Sequence, residues 1–128
     1  IDANIFLEVL LQQKNAAKCE ALLKEVESGK IAHISFFAID TIMIVLARNK
    51  VGIENIKLFL KSIFSYQGLR FYNVSVQDRF AALELMKKYK LDYEDALTLQ
   101  SALSLKCKEI ISFDNHFDKV KEIKRVEP

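Results

Sequence analysis

The sequence predicts an α/β fold in which a parallel sheet is covered by helices on both faces. Three observations carry that expectation. The 128 residues contain only three glycines and one proline, and so few breakers favour long helices and short loops over an all-β design. Short β-type runs recur, each separated from the next by one or two amphipathic helical patterns, as parallel strands joined by helical crossovers require. Acids stand where strand gives way to helix, which is where open α/β sheets form their sites.

The first element spans residues 1–7. Ile-Asp-Ala-Asn-Ile-Phe-Leu looks like a strand exit turning into a helix, with Asp2 able to cap it. The chain opens on Ile1-Asp2 without a methionine, so most of a first strand is expected to lie upstream. Residues 15–27 form an amphipathic pattern with Ala16, Cys19, Leu22, Leu23 and Val26 on one face, and Gly29 stops it. A short strand is expected at 31–34, with Ser35 capping the next helix. Residues 36–48 are apolar almost all round, which predicts a buried helix whose one acid is Asp40. Residues 53–66 are amphipathic, with Ile56, Leu60, Ile63 and Phe64 inward. Alternation marks a strand at 69–74. Ser75 caps a helix to about residue 90, with Phe80, Leu83 and Met86 in its apolar stripe. Another helix opens at Tyr93 and runs to about residue 106. Residues 109–112 and 122–126 read as short strands, the latter at an edge.

One domain is expected from the length. At 51% hydrophobic and 28% charged the chain is too apolar to be disordered. A net charge of +2 neither requires nor excludes a nucleic-acid partner, since a basic groove can coexist with an acidic pocket. Cys19 and Cys107 lie in helical apolar patterns and read as reduced core thiols of a cytoplasmic protein. No Cys or His pair has zinc-like spacing, no apolar run has membrane-spanning length, and no signal peptide is evident.

The chemistry lies in the acids. Asp92, Glu94 and Asp95 open a helix that turns at once apolar. Asp95 sits at the edge of that stripe, where a lone carboxylate needs a partner. Asp2, Asp95 and Asp114 all fall at strand ends or helix starts. Each also has an ordinary role, as N-cap, helix-dipole acid or turn former. Asp40, in an apolar helix, calls for a partner as well: a site, or an ion pair to Arg48 or Arg79. Taken together, four convergent carboxylates would repel one another unless a divalent cation lay between them, and Mg²⁺ or Mn²⁺ prefers such oxygen ligands. That arrangement suits phosphodiester hydrolysis. His33 and His116 read as incidental, the first within a strand and the second in a loop near the pocket.

With these acids in place the chain resembles a PIN domain, and within that group the small VapC-type toxin ribonucleases. The resemblance rests on Ile1-Asp2-Ala3-Asn4-Ile5-Phe6, on Ser35 to Leu46 with an acid at Asp40, on Tyr93-Glu94-Asp95-Ala96-Leu97 with Ala102, and on Ile111-Ser112-Phe113-Asp114 followed by Phe117. It implies a three-layer α/β/α Rossmann-like fold with a mainly parallel central sheet. It implies a Mg²⁺- or Mn²⁺-dependent endoribonuclease, the toxin of a type II toxin–antitoxin pair, whose acidic pocket is Asp2, Asp40, Asp95 and Asp114. Asn4 and Ser112 match supporting polar residues, and Asp118 is a candidate outer acid. The family's second acid is usually glutamate; Asp40 is one methylene shorter.

The expected partners are an RNA substrate, a cognate antitoxin and a second copy of the chain, because the helices at 53–66 and 76–90 carry aromatics beyond one stripe: Phe59, Phe64, Tyr66, Phe80 and Tyr89. Lys14, Arg48, Lys50 and Arg79 are candidates for steering the RNA backbone. The alternative function is a PIN-like module that has lost catalysis and binds RNA or protein. An α/β phosphatase or receiver domain is disfavoured, because the paired acids after the first strand and a suitably placed lysine are missing.

Overall fold

Ile1 and Asp2 stitch the sheet together at its centre. In the computed structural model, which describes residues 1–128, the Ile1 nitrogen donates to the His33 carbonyl (2.7 Å) and the Asp2 N–H donates to the Ile111 carbonyl (3.0 Å). On one side of this stitch lie β1 (Ala32–Ser35) and β2 (Leu69–Tyr72), paired parallel with Ala32 opposite Leu69. On the other lie β3 (Glu109–Ile111) and β4 (Lys124–Val126), also parallel, with Glu109 opposite Lys124. The strands thus form two two-stranded parallel sheets, β1–β2 and β3–β4, which Ile1 and Asp2 link through one hydrogen bond to each. β1 and β3 are not paired with each other. A groove of about 420 Å³ runs between them, floored by Thr98, Ser101 and Leu105.

Helices α1 (Ala3–Leu10), α2 (Ala16–Glu27), α3 (Phe36–Arg48) and α4 (Ile53–Ser65) share one core with β1 and β2, built around Ile5, Phe6, Val26, Ile34, Ile42 and Ile63. Helices α5 (Val76–Tyr89) and α6 (Tyr93–Ser104) pack together over β3 in a second core around Ala82, Leu97, Leu99, Ile110 and Phe117. Both cysteines are free thiols; Cys19 is buried on α2 as expected, whereas Cys107 is half-buried in the loop after α6. No helix is long and apolar enough to cross a membrane.

Local chemistry sets the element ends. Ser35 caps α3 by accepting the Ala38 N–H (3.0 Å). Ser75 and Asp78 form a reciprocal capping box at α5. Gly29 takes a left-handed φ of 119° just past α2. Gly68 is needed for a different reason: a Cβ there would lie 2.1 Å from the Lys30 carbonyl oxygen, so only glycine lets the start of β2 tuck under the end of α2.

Three expectations about helix faces are corrected. Helix α5 does not bury Phe80 and Leu83, which are 67% and 51% exposed; it buries Asp78, Ala82 and Tyr89. The cause is polar. Asp78 accepts bonds from the Tyr72 and Ser104 hydroxyls (2.8 and 2.7 Å) and from the Ser75 N–H (2.8 Å) and hydroxyl (2.7 Å). Burial alone would raise its pKa, but these donors outweigh that and hold it well below the usual carboxylate range. A fully satisfied carboxylate fixes the roll of α5, and the small Ala82 lets α6 approach. Helix α3 is likewise not buried all round: Phe36, Asp40 and Ile44, four residues apart, form an exposed stripe. On α4, Phe64 is exposed while Phe59 is buried.

Candidate metal centre

The polar framework of the site starts at Asp2. This residue occupies the N-cap position of α1 but makes no side-chain cap bond. Its carboxylate instead takes the Asn4 side-chain amide (2.8 Å) and the Ser112 hydroxyl, and it is 7% exposed. Ser112, fully buried just past β3, also accepts from Asn4 (3.1 Å) and from the Asp114 N–H (3.0 Å). One hydroxyl thus links the first acid to the last. Burial pushes the Asp2 carboxyl up, and the Ser112 and Asn4 donors oppose it.

Asp95 comes from the first turn of α6. Asp92 is the cap, accepting the Asp95 N–H (2.8 Å), and this turns the Asp95 carboxylate toward the sheet. Asp95 is 8% exposed, and its buried Oδ2 has no hydrogen-bond partner. Burial, followed by the charges of Asp92, Asp114 and Asp2, pushes its pKa up to about 6, with His116 pulling the other way. Glu94 is raised as well, by burial and then by Asp2 and Asp92. No lysine or arginine pairs with Asp2, Asp92, Glu94, Asp95 or Asp114.

Asp114 caps a single 3₁₀ turn, Asn115–Lys119, and accepts the His116 N–H (2.8 Å). That turn carries His116 back over the acids. Its Nδ1 lies 3.1 Å from Asp114 Oδ1 and 3.4 Å from Asp95 Oδ2. One ligand atom from each of Asp95, Asp114 and His116 falls within 4.8 Å of the others. His116, read from the sequence as an incidental loop residue near the pocket, thus stands within the cluster itself. The available signal was its position two residues past Asp114 and next to Phe117, whose burial anchors the turn.

The other expected residues divide. Asp2, Asn4, Asp95, Ser112 and Asp114 share one hydrogen-bonded and electrostatic neighbourhood. Asp40 is exposed on α3, makes no ion pair with Arg48 or Arg79, and is not among the charges that perturb Asp95. The buried, partner-seeking Asp40 inferred from the apolar helix is thus overturned, because the helix exposes that stripe. Asp118 is engaged elsewhere, receiving Arg125 Nε at 2.6 Å. Arg79 donates to the Val74 carbonyl (2.9 Å).

The donor set fits a divalent cation. A buried carboxylate oxygen without a partner, raised in pKa by neighbouring negative charge, is what a cation would satisfy. Asp95 and Asp114 offer carboxylate oxygens and His116 an imidazole nitrogen, while Asp2 is held rigidly behind them.

The PIN domain family model matches residues 1–123. Among solved structures, the fold is similar to a toxin–antitoxin complex from Klebsiella pneumoniae, at 17% identity and a TM-score of 0.69 over 95% of this chain and 92% of that one. It is also similar to VapBC2 from Rickettsia felis bound to a DNA fragment from its promoter, at 14% identity and a TM-score of 0.74 over 98% and 94%. No curated protein is significantly similar in sequence.

Proposed function

Because this chain belongs to the PIN domain family, we propose that it is a metal-dependent endoribonuclease that hydrolyses RNA phosphodiester bonds. The observation that carries the proposal is the unpartnered, buried Asp95 Oδ2 amid Asp2, Asp92 and Asp114. Asp95 and Asp114 would hold Mg²⁺ or Mn²⁺, with Asp2 behind them completing the negative pocket. A bound cation supplies charge stabilisation at the scissile phosphate and a water of lowered pKa. Asn4 and Ser112 fix the Asp2 carboxylate, so that the pocket is preorganised. Its negative field leaves backbone phosphates to be steered by lysines and arginines outside it.

We assign the toxin role in a type II toxin–antitoxin pair, acting in the cytoplasm. The two solved neighbours support an antitoxin partner, since both are described as toxin–antitoxin assemblies. A homodimer is supported by the exposed stripe of Val76, Phe80 and Leu83 along α5 (63%, 67% and 51%).

The test is cleavage of a broad RNA panel with Mg²⁺ or Mn²⁺, with and without EDTA, alongside Asp95→Asn. Metal-dependent cleavage that the variant loses supports the proposal. Asp40 favours a second reading, a PIN-like module that binds RNA or protein without cutting, because this shortened acid stands exposed. RNA binding without cleavage by folded, inhibitor-free protein would select that reading.

A further inference from the structure

We propose that His116 is a metal ligand, and that its imidazole nitrogen makes the site prefer Mn²⁺ to Mg²⁺. The inference rests on the metal-dependent reading above and goes beyond it by adding a nitrogen donor to an all-oxygen site.

Geometry is the first support. Around a cation with bonds of about 2.1 Å, neighbouring ligand atoms lie roughly 3.0 Å apart in an octahedron and roughly 3.4 Å apart in a tetrahedron. His116 Nδ1 stands 3.1 Å from Asp114 Oδ1 and 3.4 Å from Asp95 Oδ2. Asp95 Oδ2 is buried, on a side chain 12% exposed, and has no close hydrogen-bond partner: the imidazole, 3.4 Å away, stands at the outer limit of hydrogen-bond reach.

Placement is the second support. His116 is held through its own backbone: its N–H is fixed by Asp114 Oδ1 at 2.8 Å, and the adjacent Phe117 is fully buried. A side chain 59% exposed has no packing reason to stay over the acids. Its position follows from the short 3₁₀ helix Asn115–Lys119, whose cap Asp114 holds the His116 backbone beside the acids.

Chemistry supplies the selectivity. Mg²⁺ is a hard cation that demands near-ideal octahedral oxygen coordination and keeps its waters; Mn²⁺ also favours carboxylate oxygen, but it admits an imidazole nitrogen more readily than Mg²⁺ does. A site of two carboxylates and an imidazole gives Mn²⁺ one inner ligand that Mg²⁺ uses poorly.

The experiment is calorimetric titration of the full chain with MnCl₂ and, separately, MgCl₂. It compares wild type, His116→Ala, His116→Gln and Asp95→Asn, with circular dichroism to confirm folding. Pulsed electron paramagnetic resonance of the Mn²⁺ complexes runs in parallel. The expected result is Mn²⁺ affinity lowered about tenfold or more in both His116 variants, with Mg²⁺ affinity changed less than about twofold. Nitrogen modulation of the Mn²⁺ signal should be present in wild type and absent from both variants. Equal losses for the two metals, or no nitrogen coupling in wild type, would overturn the inference. If Asp95→Asn abolishes Mn²⁺ binding while the His116 variants bind normally, the metal site stands and the histidine ligand falls. If wild type binds no Mn²⁺, both fall.

Discussion

Replacing Asp95 by asparagine should make the metal-free protein more stable while disabling its site. The shape is kept and the charge removed. In the folded chain the carboxyl has a pKa of about 6 against an ordinary 3.8. That difference, about 2 pH units at about 1.36 kcal/mol each, bounds the strain of the ionised form near 3 kcal/mol. Losing a negative charge from the first turn of α6 returns about 0.3–1 kcal/mol, which leaves a net gain near 2 kcal/mol. With an unfolding entropy of about 2.1 cal/mol/K per residue, the melting temperature should rise by about 7 °C. The sign with pH comes from proton counting. Between about pH 4 and 6 the folded state retains a proton that the unfolded chain has released, so wild-type stability falls as pH rises through this window and levels off above it. The advantage of Asp95→Asn should therefore be full at pH 7.5 and small at pH 4.5. Asp78 does not mask this, because its stabilisation is lost only at lower pH. Thermal unfolding by circular dichroism in EDTA at both pH values is the assay, repeated at pH 7.5 with Mn²⁺. In Mn²⁺ the order should narrow or reverse, since only wild type gains binding energy. A variant no more stable than wild type in EDTA at pH 7.5, or an advantage equal at both pH values, would refute the argument that this carboxylate is held against its own charge.

Two further outcomes are expected. Gly68→Ala drives a Cβ to 2.1 Å from the Lys30 carbonyl and should destabilise the fold by about 2–3 kcal/mol, seen as a lower urea midpoint with an unchanged slope. Phe80→Lys with Leu83→Lys places charge on an exposed stripe; light scattering should show dimer converting to monomer at unchanged melting temperature, and a wild-type monomer at high concentration would refute the dimer.

The sequence alone determined the elements, because their signals are local. Ser35 and Ser75 cap the helices expected of them, Gly29 ends α2, and the span 36–48 is the helix its pattern marks. Position also marked Asp2, Asp95 and Asp114, because open α/β sheets form their sites where strand gives way to helix, and the family resemblance added Asn4 and Ser112. What periodicity could not decide was the roll of each helix. The apolar pattern puts Phe80 inward; the donors that bury Asp78 instead come from Tyr72 and from Ser104, twenty-six residues downstream of Asp78. The apolar run of α3 hid the same problem, since composition alone cannot say that Phe36, Asp40 and Ile44 face solvent together. His116 was missed because a lone histidine in a loop carries no periodic signal. Only the tertiary structure, by closing a 3₁₀ turn on Asp114 opposite the first turn of α6, brought its imidazole within reach of a carboxylate on a separate helix.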